Sequence, residues 1–262
     1  MSIELKENER LDKVNESLRI IQRKDGLVFG TDALLLSAYV DRHAARAAEL
    51  GAGTGIVSLL LLRRQKVDRI TAVEVQQDYA DITRRNADLN GLTERLQVLC
   101  CDLRTLGTEH FDRYDLVVSN PPYMRADGGY LCEVTHKSIA RHELNGGIRD
   151  FCIGAARLTR YGGYAAFVYR PDRLCELIAA LSEAGLEPKR MTLVHADATA
   201  APSMVLVLCK RGAAPGLTVS RPLLLHTDPS HTHPSPVMQH ILDHGTFPAA
   251  FFGTPDKRKV ST

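Results

Sequence analysis

The sequence lacks three features that would place it in a specialised class of protein. No apolar run in its 262 residues approaches the roughly 18 consecutive residues that a membrane span requires. Its first residues are charged and contain no apolar core of the kind found in signal peptides. No CxxC pair is present, and the six cysteines are scattered along the chain. We therefore expect free thiols and a cytoplasmic location.

An excess of charge of one sign is also missing. The 33 Lys and Arg residues nearly balance the 31 Asp and Glu residues, and the net charge of +2 is too small to indicate nucleic-acid binding by itself. What the chain does have is 44% hydrophobic residues, enough to bury a substantial core. Composition predicts a globular protein and does not identify its function.

From about residue 45 the sequence alternates between short apolar runs and amphipathic segments. This alternation predicts an α/β protein with a mostly parallel sheet and helices on both faces. The last two predicted strands, 191–195 and 203–209, have no helix between them. They should form an antiparallel hairpin at the edge of the sheet.

The segment 1–44 precedes this alternating region. Asp25-Gly26 lies between two short apolar pieces and predicts a β-hairpin with its turn at these residues. A short helix should follow, with Thr31 or Asp32 as its cap. The expectation for this segment is therefore a hairpin and a short helix packed on the core.

The sequence after residue 211 has a different texture and is interpreted as a C-terminal extension. We expect extended structure at 217–220 and 222–226 and a short helix at 236–244. Its histidines have no acidic or cysteine partners at ligand spacing, so we expect no metal site. The predicted domains are 1–44, 45–211 and 212–262.

Glycines at 51, 53 and 55 follow the first strand of the predicted sheet, and Glu49 precedes them. Such glycines let the backbone approach a ligand closely. Dinucleotide enzymes use a similar turn, and a tight turn without any ligand is a further alternative. Glu74 ends the next strand, where a carboxylate can hold ribose hydroxyls. Asp102 ends the third, where it can accept a hydrogen bond from an adenine amino group.

In this order of loop and acids the chain resembles the S-adenosylmethionine-dependent methyltransferases. The resemblance implies the class I fold, a Rossmann-like, seven-stranded, mostly parallel sheet with an antiparallel edge hairpin, and S-adenosyl-L-methionine as cofactor. It also implies that Glu49 faces the amino-acid part of the cofactor. The residues expected to bind the cofactor are Thr31, Glu49, Gly51, Gly53, Gly55, Glu74, Val75, Asp102, Leu103 and Asn120.

The tetrapeptide Asn120-Pro121-Pro122-Tyr123 ends the strand predicted at 114–119. An amine attached to a planar π system is a weak nucleophile because its lone pair is delocalised. The Asn120 side-chain oxygen and the Pro121 carbonyl can each accept a hydrogen bond from it, and Tyr123 can stack on its ring. A simple strand-ending turn is the alternative, which the upstream loop and acids disfavour. We expect Asn120, Pro121, Pro122 and Tyr123 to be catalytic.

The tetrapeptide is typical of enzymes that methylate adenine, the exocyclic amine of guanine, or glutamine. The segments 30–38, 139–143 and 221–226 resemble the bacterial tRNA(Val) adenine-37 N6-methyltransferase family. This resemblance implies methylation of adenine N6 at position 37 in the anticodon loop of tRNA-Val. The alternatives are a protein glutamine N5-methyltransferase of the release-factor type, an rRNA guanine-N2 methyltransferase, and an RNA-binding pseudo-methyltransferase without catalysis.

Basic residues follow the tetrapeptide in a predicted loop over the active site. They are expected to contact the phosphates of a tRNA, although a solvated loop is the alternative. These substrate-binding candidates are Arg125, Lys137, Arg141 and His142. We expect tRNA as partner, no membrane, no metal, and a monomer or weak dimer.

Overall fold

The computed structural model describes residues 4–25, 29–122 and 146–253, and the fold is given for these residues. The strands are β1 (Glu9–Asn15), β2 (Leu18–Arg23), β3 (Ala44–Leu50), β4 (Val67–Glu74), β5 (Leu96–Cys100), β6 (Tyr114–Ser119), β7 (Thr159–Tyr169), β8 (Leu186–His195), β9 (Pro202–Arg211), β10 (Thr218–Val219) and β11 (Leu223–Leu224). The α-helices are α1 (Thr31–Tyr39), α2 (Ile56–Arg63), α3 (Gln77–Leu89), α4 (Ile148–Leu158), α5 (Leu174–Glu183) and α6 (Pro236–His244).

The main sheet has the strand order β10-β8-β9-β7-β6-β3-β4-β5, and β11 also pairs with β8. The strands β5, β4, β3, β6 and β7 run parallel, whereas β9 is antiparallel to both β7 and β8. The predicted mostly parallel sheet with an antiparallel hairpin is confirmed. The two-residue strands β10 and β11 extend the sheet beyond β8, and with α6 they confirm the expected elements of the C-terminal extension.

The N-terminal hairpin is present, but its turn lies elsewhere than predicted. Strand β2 is antiparallel to the preceding strand β1, so the turn of this hairpin falls at Glu16-Ser17. The prediction of its turn at Asp25-Gly26 is wrong. The Asn15 side chain accepts a hydrogen bond from the Ser17 backbone N–H at 2.9 Å. An asparagine that bonds the backbone two residues later stabilises such a turn. Asp25 instead follows the end of β2, and Gly26 lies outside the described residues.

Two apolar cores cover the two faces of the main sheet. One contains α1 and α2 together with the hairpin and the C-terminal extension, and the other contains α4 and α5. In the first, the ring of buried Tyr39 meets Phe247 edge-on at 5.7 Å and Phe252 at 5.6 Å. Both flanking segments of the chain therefore pack on the face of the sheet that carries α1.

Helix α1 is held firmly at its C-terminal end. The buried Lys66 ammonium donates hydrogen bonds to the carbonyls of Ser37 at 2.8 Å, Ala38 at 3.1 Å and Val40 at 2.6 Å. The last carbonyls of a helix have no partner within the helix, and a lysine supplies three donors. Lys66 thus ties the end of α1 to the beginning of β4.

The described residues also bear on two expectations from composition. The cysteines among them, at 100, 101, 152, 175 and 209, are free thiols as predicted. None of the helices in the described ranges has both the length and the hydrophobicity needed to cross a membrane.

Candidate active site

A cavity of about 970 Å³ opens at the carboxyl ends of β3, β4, β5 and β6. The strand order reverses between β3 and β6, and in open α/β sheets ligands bind at such a switch point. We call one side of the cavity the acidic half, defined by Glu49, the loop 51–55, Glu74 and Asp102. The other side is the amide half, defined by Asp32, Asn120 and Pro121.

The glycine loop of the acidic half has left-handed backbone conformation at Gly51, Gly53 and Gly55, with φ of +70°, +55° and +80°. A Cβ on Gly55 would lie 2.6 Å from the side chain of Thr83, so close packing on α3 excludes a larger residue there. A Cβ on Gly53 would instead meet no atom within 4 Å. Gly53 also lines the cavity, so a ligand can approach its Cα closely, while its N–H is bonded to Glu74 and its carbonyl to the Thr83 hydroxyl.

Glu49 lies at the end of β3 and is only 2% exposed. Its Oε2 accepts hydrogen bonds from the Ser58 backbone N–H at 2.9 Å and from the Ser58 hydroxyl. The carboxyl group therefore caps the first turn of α2. Burial, with a further contribution from nearby Glu74, raises the pKa of Glu49 to about 8 against the lowering effect of the Ser58 hydrogen bonds.

Glu74 connects the glycine loop with the turn after β4. Its Oε2 accepts a hydrogen bond from the Gly53 N–H at 2.8 Å, and its Oε1 accepts one from the Gln76 N–H at 2.9 Å. Each carboxylate oxygen has two lone pairs, so both oxygens retain capacity for a ligand. Glu74 and the neighbouring Val75 line the cavity.

Asp102 lines the cavity beside Leu103, but its carboxylate is engaged within the protein. It accepts a backbone hydrogen bond from Arg104 at 2.8 Å and pairs with the Arg104 guanidinium at 2.6 Å. The Arg104 hydrogen bond holds the pKa of Asp102 below its usual range. The sequence alone gave no indication of this ion pair. A ligand amine would have to share Asp102 with Arg104.

The amide half is assembled from two distant parts of the chain. The Asn120 Nδ2 donates a hydrogen bond of 2.8 Å to Oδ2 of Asp32, which lies 88 residues earlier. Asn120, Pro121 and Pro122 follow β6 and line the cavity. Thr31 begins α1, while Gly30 and Asp32 on either side of it line the cavity.

The predicted cap of α1 is wrong. Gly30 occupies the N-cap position, and Thr31 and Asp32 are already helical. The Asp32 carboxylate instead accepts the Ala33 N–H at 2.9 Å and reaches Asn120. The family resemblance implied that residues 30–32 lie near the cofactor, but sequence reasoning missed the contact of Asp32 with Asn120, because the acidic first-turn position of Asp32 indicated only a helix end.

The far side of the cavity comes from the end of β7 and the start of β9. Residues 169–172 and 202–204 line it there. No sequence motif indicated these segments, although the carboxyl end of a fifth parallel strand is a place where such sheets bind ligands. Tyr123, Arg125, Lys137, Arg141 and His142 lie outside the described residues, and their predicted roles stay predictions.

The histidines of the C-terminal extension make contacts away from the cavity. The rings of His226 and His231 stack at 4.7 Å, and His231 Nε2 lies 3.0 Å from Oδ2 of Asp197. Within the described residues, no group of three or more His, Cys, Asp or Glu side chains is arranged to hold a metal ion.

Comparison with known proteins gives relatives over most of the chain. The family described as the methyltransferase small domain matches residues 23–145. The tRNA1(Val) (adenine(37)-N6)-methyltransferase of Tolumonas auensis is 32% identical over 202 residues, which cover 76% of this chain and 83% of that protein. The protein of the same name from Cronobacter sakazakii is 32% identical over 212 residues, covering 79% and 83%.

A solved structure has the same architecture. The crystal structure described as a predicted O-methyltransferase, protein Atu636 from Agrobacterium tumefaciens, superposes with a TM-score of 0.68 at 25% identity and covers 83% of this chain and 98% of its own. Strand order, glycine loop and strand-end acids define a class I, S-adenosylmethionine-dependent methyltransferase. Within that class, the chain belongs to the tRNA1(Val) (adenine(37)-N6)-methyltransferase family. The sequence predicted both class and family.

Proposed function

We propose that this protein transfers a methyl group from S-adenosylmethionine to N6 of adenine in a tRNA anticodon loop, at position 37 of tRNA-Val. One observation carries the proposal: Asn120 and Pro121 line the same cavity as the acidic half. A methyl donor and a planar amine would therefore meet at the carboxyl end of β6. The relatives are named for methylation of adenine 37 in tRNA1(Val), which supports the same substrate.

The acidic half fits S-adenosylmethionine in shape and charge. The open space at Gly53 admits a ligand against the backbone, and the Glu49 carboxyl complements a cation once a ligand ammonium has ionised it. We assign Glu49 and the glycine loop to the methionine part, Glu74 to the ribose, and Asp102 with the Leu103 amide to the adenine. When bound, S-adenosylmethionine supplies an electrophilic methyl group on a positively charged sulfur.

The amide half holds the acceptor nitrogen. The Asn120 Oδ1 and the Pro121 carbonyl each accept one hydrogen bond from the target NH₂, which pins the nitrogen and opposes delocalisation of its lone pair. The proline rings at 121 and 122 restrict φ, so the carbonyl is held in one direction. Much of the acceleration comes from this alignment. We assign stacking on the base to Tyr123.

The remaining parts of the proposal rest on sequence position. We assign catalysis to 45–211 and treat 1–44 and 212–262 as attached segments. Arg125, Lys137, Arg141 and His142 follow the Asn120 tetrapeptide closely in sequence and are assigned to the tRNA phosphates. We propose that the enzyme works in the cytoplasm as a monomer or weak dimer. Light scattering of the purified protein would test the oligomeric state.

The decisive experiment offers three acceptors to the purified protein with S-adenosylmethionine. They are an unmodified tRNA-Val transcript, the same transcript with guanine at position 37, and a bacterial release factor. Mass spectrometry should find N6-methyladenosine in the first transcript only. Asn120→Ala should lower this activity at least about 100-fold while retaining cofactor binding. Methylation of the release factor alone, or of guanine N2, would contradict the proposal.

A further inference from the structure

Asp32 lies outside the Asn120 tetrapeptide but accepts a hydrogen bond from the Asn120 side chain. We infer that Asp32 is a positioning residue that fixes the orientation of the Asn120 side-chain amide, so that Oδ1 of Asn120 faces the target amine. The inference rests on the proposed function for the identity of that amine. Its structural part concerns only the orientation of the amide.

The orientation follows from the chemistry of the two partners. An asparagine side chain presents a donating NH₂ on one side and an accepting oxygen on the other, and it can rotate by half a turn. An ionised carboxylate only accepts hydrogen bonds. With Asp32 Oδ2 at 2.8 Å, the amide nitrogen of Asn120 must face Asp32. The amide oxygen then points away from Asp32 and is the acceptor that the chemistry requires.

The Asp32 carboxylate is held in place by its position in α1. It lies in the first turn of the helix, where acidic side chains interact favourably with the helix N-terminus. Its other oxygen, Oδ1, accepts the Ala33 N–H at 2.9 Å. The carboxylate is therefore held at both oxygens, one within its own helix and one on Asn120.

Asp32 and Asn120 are carried by two elements, α1 and the end of β6, that are each anchored by other hydrogen bonds. The three hydrogen bonds of Lys66 hold the far end of α1. The residue before Asn120, Ser119, is fully buried, and its hydroxyl donates to the Leu50 carbonyl at 2.9 Å. A side chain held between two anchored elements loses little entropy when the substrate binds, which is the condition for alignment.

The first test exchanges the two polar groups. Asn120→Asp places two carboxylates against each other and should lower kcat at least about 100-fold. Asp32→Asn removes the orienting acceptor and should lower kcat about 10-fold or more, with KM for tRNA and Kd for S-adenosylhomocysteine within about 3-fold of wild type. The exchange variant D32N/N120D restores one donor facing one acceptor. It should exceed N120D in kcat by about 10-fold or more.

Asp150→Asn is the matched control. Asp150 is also a first-turn carboxylate of a helix, α4, and accepts the Gly147 N–H at 2.9 Å. Its kcat should stay within about 2-fold of wild type. The inference is overturned if D32N keeps full kcat, or if the exchange variant is no more active than N120D.

A second test needs no substrate, so it separates this inference from the proposed function. Protein labelled with ¹⁵N-asparagine is compared with Asn120→Ala to assign the Asn120 side-chain amide in the NMR spectrum. In wild type these NH₂ protons should exchange slowly with solvent, and in D32N their shifts should move and exchange should accelerate. Identical Asn120 signals in wild type and D32N would overturn the inference, whichever substrate the enzyme methylates.

Discussion

The acidic half and the amide half of the cavity are held together in different ways. In the acidic half, Glu49 is bonded by Ser58 in the first turn of α2, and Glu74 is bonded by Gly53 and Gln76, which follow β3 and β4. In the amide half, Asn120 depends on a residue 88 positions earlier in a separate helix. We therefore expect the proposed cofactor site to depend on contacts between residues near in sequence, and the proposed acceptor site to depend on the docking of α1.

If the two halves of the cavity are independent, Glu74→Ala should weaken cofactor binding more than the other variants do, without disturbing the amide half. The variant removes the carboxylate that accepts from the N–H groups of Gly53 and Gln76, and a hydrogen bond to a charged group contributes about 1.5–3 kcal/mol. We expect Kd for S-adenosylhomocysteine, measured by calorimetry, to rise about 100-fold. The NMR signals of the Asn120 amide should stay unchanged.

Glu187→Ala, in β8 outside the cavity-lining set, is the control for loss of a glutamate. It should bind the ligand as wild type does. Altered Asn120 signals in the Glu74 variant would show that the two halves are not independent.

Gly53→Ala and Gly91→Ala make a matched pair with a smaller effect. Both glycines have positive φ, +55° and +65°, and a Cβ on either would meet no atom within 4 Å. Each variant should lose about 1–2 kcal/mol of free energy of unfolding. Only Gly53 lines the cavity, so only its variant should weaken ligand binding, by about 10-fold. Equal affinities in the two variants would contradict the placement of the ligand on the loop.

Lys66→Met tests the amide half through α1 alone. Three carbonyls at the end of the helix lose their donors, and we expect kcat to fall about 5-fold with an unchanged Kd for S-adenosylhomocysteine. Lys189→Met is the control, since Lys189 also donates to a carbonyl, that of Ala214 at 3.0 Å, but this hydrogen bond is exposed to solvent. A change in Kd without a change in kcat would reverse the assignment of α1 to the acceptor side.

The smallest expected effect is a proton released from Glu49. Its pKa is raised to about 8 in the folded protein, so the carboxyl is mostly protonated at pH 7. A ligand ammonium favours the carboxylate, and S-adenosylmethionine binding should therefore release up to one proton and strengthen as pH rises towards 8. Calorimetry in buffers of different ionisation enthalpy measures this release. Glu49→Gln cannot release this proton, so the variant should release up to one proton fewer than wild type when the ligand binds. Equal proton release by the two proteins would contradict the assignment to Glu49.

The raised pKa of Glu49 also makes the stability of the folded protein depend on pH. The folded protein holds the Glu49 proton more tightly than the unfolded chain, in which the pKa of this group is 4.5. The contribution of Glu49 to the free energy of unfolding is therefore fully present below about pH 4.5 and is lost as the pH rises through about 8. The ligand-free protein should therefore lose part of its free energy of unfolding across that window, and Glu49→Gln should remove this part of the slope.

The sequence predicts most of the acidic half because its signals are local. Glu49, Glu74 and Asp102 follow apolar runs at successive strand ends, and parallel strands bring such ends to one edge of a sheet. The same reasoning located the parallel strands and the β8–β9 hairpin. It placed the N-terminal turn wrongly because an Asp-Gly signal outweighed the bond between Asn15 and Ser17.

The amide half was only partly predictable for the opposite reason. Asn120 and Pro121 belong to a recognisable motif, but the pairing of Asp32 with Asn120 depends on how α1 packs on α2 and the sheet. No spacing in the sequence encodes a contact across 88 residues. The ion pair of Asp102 with Arg104 is local, yet it remained hidden because a strand-end aspartate next to a basic residue is common on protein surfaces.

The position of β9 has a consequence for how the protein is made. Strand β9 lies between β7 and β8, although it is synthesised after both. Until the ribosome has released residue 211, β7 has an unpaired edge, and β8 has no direct partner in the sheet. Open strand edges are templates for aggregation during folding. The growing chain therefore exposes the edge of β7 until β9 inserts between β7 and β8.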